Sequence, residues 1–246
     1  MWLDRSKFNH FKFATCDSTN LVAKQLVAGG AEFAIVRSDE QSRGRTTKPG
    51  QVWDSPKGNL FFTMLVRLPP ALERRFSEIS LVAAVATVES VLHFEPEADI
   101  AIKWPNDILL KKQKVGGILI EKEDSSAIIG IGLNVAVPPD RKNIRYPAAC
   151  LAECGIKVAE VKEVAEALEI ALIKALNLWK DKGFDAILER AKPYMYHLGK
   201  NVFVSSAGKD YEGTFIGLAP SGGIIISTDR GEMTLVSGEL TKENFT

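Results

Sequence analysis

The feature that most constrains the fold is a series of closely spaced apolar runs in the middle of the chain. Three strand candidates follow one another there, around residues 100–104, 115–121 and 127–135, and the polar segments NDILLKKQK and EDSS connect them. Connections this short leave no room for the crossover helix that a parallel pair usually needs. This part of the chain therefore predicts antiparallel strands.

Helical periodicity lies on both sides of this region. DSTN offers N-cap residues ahead of the short helix LVAKQLVAGG, and apolar residues recur at mostly helical spacing between residues 76 and 93. A longer amphipathic helix is predicted between residues 161 and 179, and another in GFDAILERAKPYM. Further strand candidates are FKFAT, EFAIVRSDE and NLFFTMLVRL. The pattern predicts an α+β fold, in which a sheet is backed by helices.

After about residue 198 the pattern changes to short strands separated by glycine turns, which resembles a small β-barrel. The candidates are NVFVSS, YEGTFIGLA, GGIIIST and EMTLVSGEL. Because no flexible linker precedes them, the barrel should pack directly on the larger domain. We therefore predict two domains, residues 1–197 and 198–246.

Composition and charge limit the classes of function. The 246 residues include 31 Lys and Arg and 31 Asp and Glu, so the formal net charge is zero, and a nucleic-acid partner is disfavoured. No uncharged run is long enough to span a bilayer, and the first residues lack the apolar stretch of a signal peptide or membrane anchor. The three cysteines, Cys16, Cys150 and Cys154, form no CxxC motif, which favours a reducing compartment. We predict a cytoplasmic protein with no membrane partner.

A long polar loop, residues 41–58 (QSRGRTTKPGQVWDSPKG), is the first candidate for chemistry. Its glycines would let backbone N–H groups approach a phosphate or carboxylate, which Arg45 and Lys48 could neutralise, and Trp53 could stack on a flat ring such as adenine. The alternative is a solvated loop with one anchoring Trp. Neither the P-loop pattern nor GxGxxG occurs, so the usual NTPase and dinucleotide fingerprints do not apply.

The second candidate is the segment KWPNDILLKKQKVGGILIE, residues 103–121. Lys103 and Lys114 bracket a predicted strand-turn-strand unit, whose Asn106 and Asp107 could hold a metal ion or nucleotide oxygens. Each motif alone has a plainer explanation, such as an exposed Lys103–Asp107 ion pair of small energy. The glycines have one too, since GG at residues 116–117 fits a β-bulge and GIGLN at residues 130–134 fits a strand that ends in a turn.

The order of these motifs is specific where each motif alone is not. From DSTN through the 41–58 loop, KWPND, KVGGILIE and GIGLN to SGEL, the chain resembles the biotin–protein ligases over nearly its whole length. The specific part of that signature is KWPND followed by K-[VL]-[AG]-G-I-L-[IV]-E. Only about seventeen residues precede STN, so the resemblance is to the short form without an N-terminal DNA-binding domain, and DNA is not expected as a partner.

The resemblance implies an activity and a fold. Members of this family adenylate biotin with ATP and Mg²⁺, release pyrophosphate, and transfer the biotinyl group to one lysine of a biotin carboxyl carrier protein or domain. Many are homodimers. The implied fold is a catalytic domain like that of class II aminoacyl-tRNA synthetases, with a mixed, largely antiparallel sheet, plus a C-terminal SH3-like β-barrel.

The resemblance also assigns roles to residues. Lys114 is expected to be the central catalytic cation, assisted by Arg45, because attack of a carboxylate on the α-phosphate brings two anions together. The expected biotin and biotinyl-AMP contacts are Ser18, Thr19, Asn20, Gln41, Gly44, Arg45, Lys114, Gly116 and Gly117. The expected ATP contacts are Trp53, Lys103, Asn106, Asp107 and Asn134, with Asp107 also a candidate metal ligand.

One motif departs from the family pattern. The usual loop reads Q-[ST]-x-G-R-G-R-x-G-R-x-W, whereas QSRGRTTKPGQVW has Thr46 at the second glycine and one additional residue. Lys48 is the nearest cation to the position of the second arginine, but lysine lacks the forked donors of arginine. Looser retention of the adenylate is expected, because this loop should fold over the intermediate.

Two alternatives remain open. A lipoate–protein ligase or octanoyltransferase would share the fold and the use of an acceptor domain, although KWPND with KVGGILIE favours biotin. The altered loop also allows a non-catalytic biotin-binding protein. The presence of Lys114, Arg45 and Asn106 argues against such a protein, because a binder of biotin alone needs no nucleotide contacts.

Overall fold

Two sheets organise the protein in the computed structural model, which describes residues 2–48, 50–140, 147–158 and 160–241. The larger sheet has seven strands in the order β1-β2-β3-β7-β6-β5-β4. Its strands are β1 (Asn9–Cys16), β2 (Phe33–Gln41), β3 (Leu60–Arg67), β4 (Ile100–Lys103), β5 (Asp107–Leu110), β6 (Gln113–Glu123) and β7 (Ser126–Leu133). Only β1 and β2 pair in parallel, so the predicted mixed, largely antiparallel sheet is confirmed.

The central hairpin region contains one strand more than the sequence predicts. The sequence predicts a turn at NDILLKKQK, but residues 107–110 form β5 between β4 and β6. Ile108, Leu109 and Leu110 are all buried, and the turn itself is confined to Lys111 and Lys112, whose φ angles are 49° and 63°. The prediction was wrong here because the strand has only three apolar residues, and polar residues precede and follow them.

Helices cover both faces of the larger sheet. They are α1 (Thr19–Ala28), α2 (Pro70–Glu73), α3 (Ile79–Leu92), α4 (Val161–Lys182) and α5 (Asp185–Ala191). Helix α3 is buried along most of its length between the sheet and α4, which presents the apolar face that the sequence predicts. Helix α1 packs on the opposite face, where Ala23 contacts a smaller cluster that includes Ala34, Val36, Leu65 and Ile128. The sheet face beside α1 bears the cavity described below.

The C-terminal region forms a five-stranded antiparallel sheet in the order β11-β10-β9-β8-β12. Its strands are β8 (Asn201–Ser206), β9 (Lys209–Leu218), β10 (Ile224–Thr228), β11 (Gly231–Leu235) and β12 (Glu239–Thr241). EMTLVSGEL is thus divided between two strands by the turn at residues 236–238. Val202, Val204 and Phe215 belong to the same apolar cluster as the core of the larger sheet. The predicted direct packing of the two regions is therefore confirmed.

Among the helices of the described residues, none combines the length and the apolar character that a membrane crossing requires.

Candidate active site

A cavity of about 850 Å³ lies on the sheet face next to α1. Its floor is formed by neighbouring strands, with Gly117 and Leu119 on β6 and Gly130 and Gly132 on β7. Its walls come from the start of α1, the 41–58 loop, residues 103–107 and the turn before β12. The motifs that are far apart in the sequence therefore meet at one place.

Most of the predicted site residues line this cavity. Those that do are Ser18, Thr19, Asn20, Gln41, Arg45, Lys48, Trp53, Lys103, Asn106, Asp107, Lys114 and Gly117. Three others lie behind the wall: Gly44, Gly116 and Asn134. Asn134 is 3% exposed and donates from its side chain to Ala149 O at 3.0 Å, so it braces the segment next to Lys114. The roles of all these residues in binding remain predictions.

A network of neutral hydrogen bonds forms the wall near α1. Gln41 Oε1 accepts from the Thr19 backbone N–H at 2.8 Å, and Gln41 Nε2 donates to Ser55 Oγ at 3.1 Å. Thr63 Oγ1 lies 2.8 Å from Thr19 Oγ1 and 2.7 Å from Asn20 Oδ1. A strand position such as Thr63 carries no motif, so sequence reasoning missed it.

Asn20 has room in this network because Gly130 has no side chain. A Cβ atom on Gly130 would lie 2.2 Å from Asn20 Oδ1. The Asn20 amide donates to Leu119 O at 3.3 Å and to Glu121 Oε2 at 2.9 Å. Its orientation is thereby fixed from three sides.

Trp53 lies flat on the glycine floor. A Cβ atom on Gly117 would lie 2.8 Å from Trp53 Cζ3, and one on Gly132 would lie 2.6 Å from Trp53 Nε1. Trp53 Nε1 is buried. Among the buried side-chain nitrogen and oxygen atoms of the described residues, it is the one that has no hydrogen-bond partner. Leaving a buried donor unpaired costs about 1–3 kcal/mol. A ligand acceptor that reached this N–H would recover that energy.

Lys114 is held above the Trp53 ring. Its Nζ lies 2.5 Å from Asp107 Oδ1 and 5.4 Å from the ring centroid. The backbone of Lys114 is fixed as well, because its N–H donates to Pro147 O at 2.8 Å. The pairing of β5 with β6 shifts register between Ile108 and Leu109, which leaves Val115 as the additional residue of a bulge beside Lys114. Bulges re-aim neighbouring side chains, and the bulge here lies one residue before the glycine pair.

Lys103 is the most buried lysine of the cavity wall, with 8% of its surface exposed. Burial lowers the pKa of Lys103, because the charged ammonium loses water, although the negative charges of Asp107 and Glu239 oppose the shift. An anion placed in this cavity would favour the charged form of Lys103.

Two ion pairs connect the described part of the 41–58 loop to β12 and β6. Lys48 Nζ forms an ion pair with Glu239 Oε2 of β12 at 2.6 Å. Arg45 Nη1 donates to Glu121 Oε1 at 2.7 Å and to Glu121 Oε2 at 2.9 Å. The sequence assigns no role to either carboxylate, although Glu239 lies in SGEL and Glu121 lies in KVGGILIE. Their partners are too distant along the chain to be recognised by spacing.

The cavity wall contains the carboxylates of Asp107 and Glu239, and both are paired with lysines. Across the described ranges, no three His, Cys, Asp or Glu side chains come together as a metal-binding group.

Comparison with known proteins relates the chain to a family of ligases. The sequence model of the Biotin/lipoate A/B protein ligase family matches residues 17–136. The biotin--[acetyl-CoA-carboxylase] ligase of Paracoccus denitrificans is 30% identical over 237 residues, which cover 92% of this chain and 98% of that protein. The bifunctional ligase/repressor BirA of Bacillus subtilis is 29% identical, over 91% of this chain and 70% of that protein.

Solved structures show the same relationship. Biotin protein ligase from Aquifex aeolicus in complex with biotin and ATP superposes with a TM-score of 0.80 at 26% identity, covering 95% of this chain and 97% of that one. The Leishmania major biotin protein ligase with biotinyl-5-AMP gives a TM-score of 0.60 at 27% identity, covering 93% and 98%. On the sequence relationship and the shared fold together, the chain belongs to the biotin–protein ligase family.

Proposed function

We propose that this protein joins biotin to ATP to form biotinyl-5'-AMP and pyrophosphate, and then transfers the biotinyl group to a lysine of a biotin carboxyl carrier protein or domain. The observation that carries the proposal is one cavity with two different walls. One wall presents neutral hydrogen-bonding groups, and the other presents lysines, over a floor of glycines. Membership of the biotin–protein ligase family supports the same activity.

The neutral wall suits the ureido ring of biotin. A buried polar ring must be met by fitted donors and acceptors, since each unpaired group costs free energy. Ser18, Thr19, Asn20 and Gln41 line the cavity. Hydrogen bonds join Thr19 to Gln41, Gln41 to Ser55, and Thr63 to both Thr19 and Asn20. We place the biotin head group against this wall.

The charged wall suits the adenylation step. A biotin carboxylate oxygen attacks the α-phosphorus of ATP, the bond from that phosphorus to the bridging oxygen breaks, and pyrophosphate leaves. Two anions must approach each other, so a fixed cation between them lowers the barrier. Lys114 has that place in our proposal, where it acts as a charge and not as a nucleophile, and Arg45 assists it. Lys103 and Lys48 would face the phosphates.

The transfer step needs no covalent enzyme intermediate. The neutral amine of the acceptor lysine attacks the carbonyl carbon of biotinyl-AMP, an amide bond forms, and the bond between that carbon and the phosphate oxygen breaks to release AMP. The phosphate oxygen of AMP keeps the electron pair of the broken bond, and the proton that the amine loses passes to that phosphate or to solvent water. Lys114 or Arg45 would stabilise the charge that develops on the carbonyl oxygen.

Magnesium fits this wall as an ion that binds together with the nucleotide. Mg²⁺ is commonly held by one or two carboxylates, several waters and the substrate phosphates. Asp107 would be the protein ligand, after giving up part of its contact with Lys114. When bound, the ion would neutralise phosphate charge.

Several finer features are also proposals. We propose that residues 1–197 are a catalytic domain like that of class II aminoacyl-tRNA synthetases and that residues 198–246 are an SH3-like barrel. The antiparallel five-stranded sheet supports the second assignment. A homodimer is proposed from the family resemblance, and a cytoplasmic location from the need for ATP and the free cysteines.

The test is to mix the purified protein with ATP, Mg²⁺, biotin and a biotin-acceptor domain, and to measure pyrophosphate release and acceptor labelling. Lipoate and octanoate are run in parallel. We expect biotin-dependent release and labelling of one acceptor lysine. Activity with lipoate or octanoate alone would assign the protein to the sister activity, and biotin binding without pyrophosphate release would indicate a non-catalytic binder.

A further inference from the structure

Glu121, at the end of the KVGGILIE motif, lies directly behind the cavity wall. It is two residues after Leu119 on β6, and strand alternation places both side chains on the cavity face of the sheet. Its side chain is 13% exposed. Glu121 is therefore a nearly buried carboxylate. It contacts Asn20 and Arg45, which line the cavity, but it does not line the cavity itself.

Three side chains converge on this carboxylate. Arg45 Nη1 lies at 2.7 and 2.9 Å from its two oxygens, Lys24 Nζ lies 2.9 Å from Oε1, and Asn20 Nδ2 donates to Oε2 at 2.9 Å. Burial raises the pKa of Glu121, but hydrogen bonds from Lys24 and Asn20 and the charge of Arg45 outweigh burial and lower it. The carboxylate is ionised at neutral pH, with two cations against its single charge.

The contact with Arg45 leaves most of the guanidinium unused. Among the residues that the structure describes, the Arg45 side chain donates to Glu121 alone, and it does so through Nη1. A guanidinium carries five N–H donors in a fixed plane. Fixing Nη1 therefore also fixes the direction of the remaining donors, and Arg45 lines the cavity.

We propose that Glu121 is a positioning residue for the ligase reaction, in which its carboxylate aims the Arg45 guanidinium at the acyl phosphate of biotinyl-AMP. This proposal rests on the function proposed above. Lys24 forms a second ion pair with the same carboxylate, 2.9 Å from Oε1, and helps to keep it in place. Glu121 itself touches neither substrate nor reacting atoms.

The first test replaces Glu121 by Gln, which keeps the side-chain volume and removes the charge. We expect the kcat of biotin-dependent pyrophosphate release to fall roughly tenfold to hundredfold, as for a misplaced catalytic group, with little change in the KM for ATP. Glu121→Asp keeps the charge and should recover part of the loss. Glu123→Gln is the matched control, because Glu123 lies on the same strand, 43% exposed and 3.9 Å from Lys24 Nζ. It should behave like the unaltered protein.

A double-mutant cycle separates positioning from a purely structural role. If Glu121 acts through Arg45, Glu121→Gln should lower the rate in the unaltered protein and have no further effect in an Arg45→Ala background. Equal losses in both backgrounds, or an unchanged rate in Glu121→Gln, would overturn the proposal while leaving the ligase activity established. Absence of biotin-dependent pyrophosphate release from the unaltered protein would instead overturn the proposed function, and the role of Glu121 with it. Thermal melting of each variant shows whether it is folded.

Discussion

The two walls of the cavity are built from different interactions. The neutral wall consists of Ser18, Thr19, Asn20 and Gln41, and Thr63 supports it from behind through hydrogen bonds to Thr19 and Asn20. The charged wall consists of Lys48, Lys103, Asp107, Lys114 and Glu239. Hydrogen bonds between neutral groups depend on exact donor and acceptor positions, so the first wall can select one head group. The lysines of an ion pair can release their carboxylate and bind a ligand anion instead. The charged wall therefore suits ATP, which binds, reacts and leaves as pyrophosphate and AMP.

The largest effect is expected on the charged wall. Replacing Lys114 by Ala removes the cation that we place between the biotin carboxylate and the α-phosphate, so the rate of adenylation should fall roughly 10²–10³-fold. Biotin affinity, which depends on the neutral wall, should be largely kept. Pyrophosphate release and equilibrium binding of labelled biotin measure the two effects separately.

Lys122→Ala is the control for this change, because Lys122 is an exposed lysine on the same strand. It should leave both measurements unchanged. Adenylation at the normal rate in Lys114→Ala would remove our role for Lys114, and loss of both biotin binding and adenylation would show that the two walls are not independent.

The sequence predicts most residues of both walls, and it does not single out Thr63 or Glu239, for a physical reason. Lysines, Asp107 and Trp53 stand out in a polar loop and a turn, where each has an identifiable chemistry. Thr63 is hidden in an apolar strand, and its hydrogen bonds reach residues 43 and 44 positions away. The Lys48–Glu239 pair spans 191 positions. Such contacts depend on the topology of the sheets, which single-sequence patterns do not provide.

The neutral wall can be tested by replacing Thr63 with Val, which has the same shape and no hydroxyl. Asn20 Oδ1 and Thr19 would lose a buried partner, at a cost of about 1–3 kcal/mol in the free energy of unfolding. Biotin should bind more weakly, while the KM for ATP should stay close to its original value. Denaturant unfolding and biotin binding provide the two measurements.

Thr87→Val is the matched control for this substitution. Thr87 is equally buried and donates to Ala83 O at 2.8 Å within α3. Unlike the partners of Thr63, Ala83 does not line the cavity. The control should change stability without changing biotin affinity. A similar loss of biotin affinity in both variants would mean that general destabilisation, and not the neutral wall, explains the result.

A smaller effect is expected where the altered loop meets β12. Lys48 and Glu239 are 44% and 26% exposed, so their ion pair contributes little to stability. Lys48→Glu should instead open the loop and raise the rate at which biotinyl-AMP leaks and hydrolyses, by severalfold. The double variant Lys48→Glu with Glu239→Lys restores the pair in reverse and should recover part of the retention. An unchanged leak rate in both variants would exclude the ion pair as a closure contact.

The smallest effect concerns protons on Lys103. Burial lowers its pKa below the ordinary 10.5 in the ligand-free protein. A bound triphosphate favours the charged ammonium and so raises this pKa, which means that ATP binding takes up protons when the pH lies between the two values. ATP affinity should therefore fall as the pH rises through this alkaline window.

Calorimetry of ATP binding in two buffers of different ionisation enthalpy would detect the proton uptake. Lys103→Met should abolish it, because methionine keeps the apolar stem and cannot bind a proton. The same variant should be more stable than the unaltered protein at neutral pH, since it avoids burying an ammonium, and the difference should shrink as the pH approaches 10.5. Equal proton uptake in both proteins would show that a group other than Lys103 takes up the proton. In that case Lys48 and Lys114 would be the lysines of the charged wall that respond to the nucleotide.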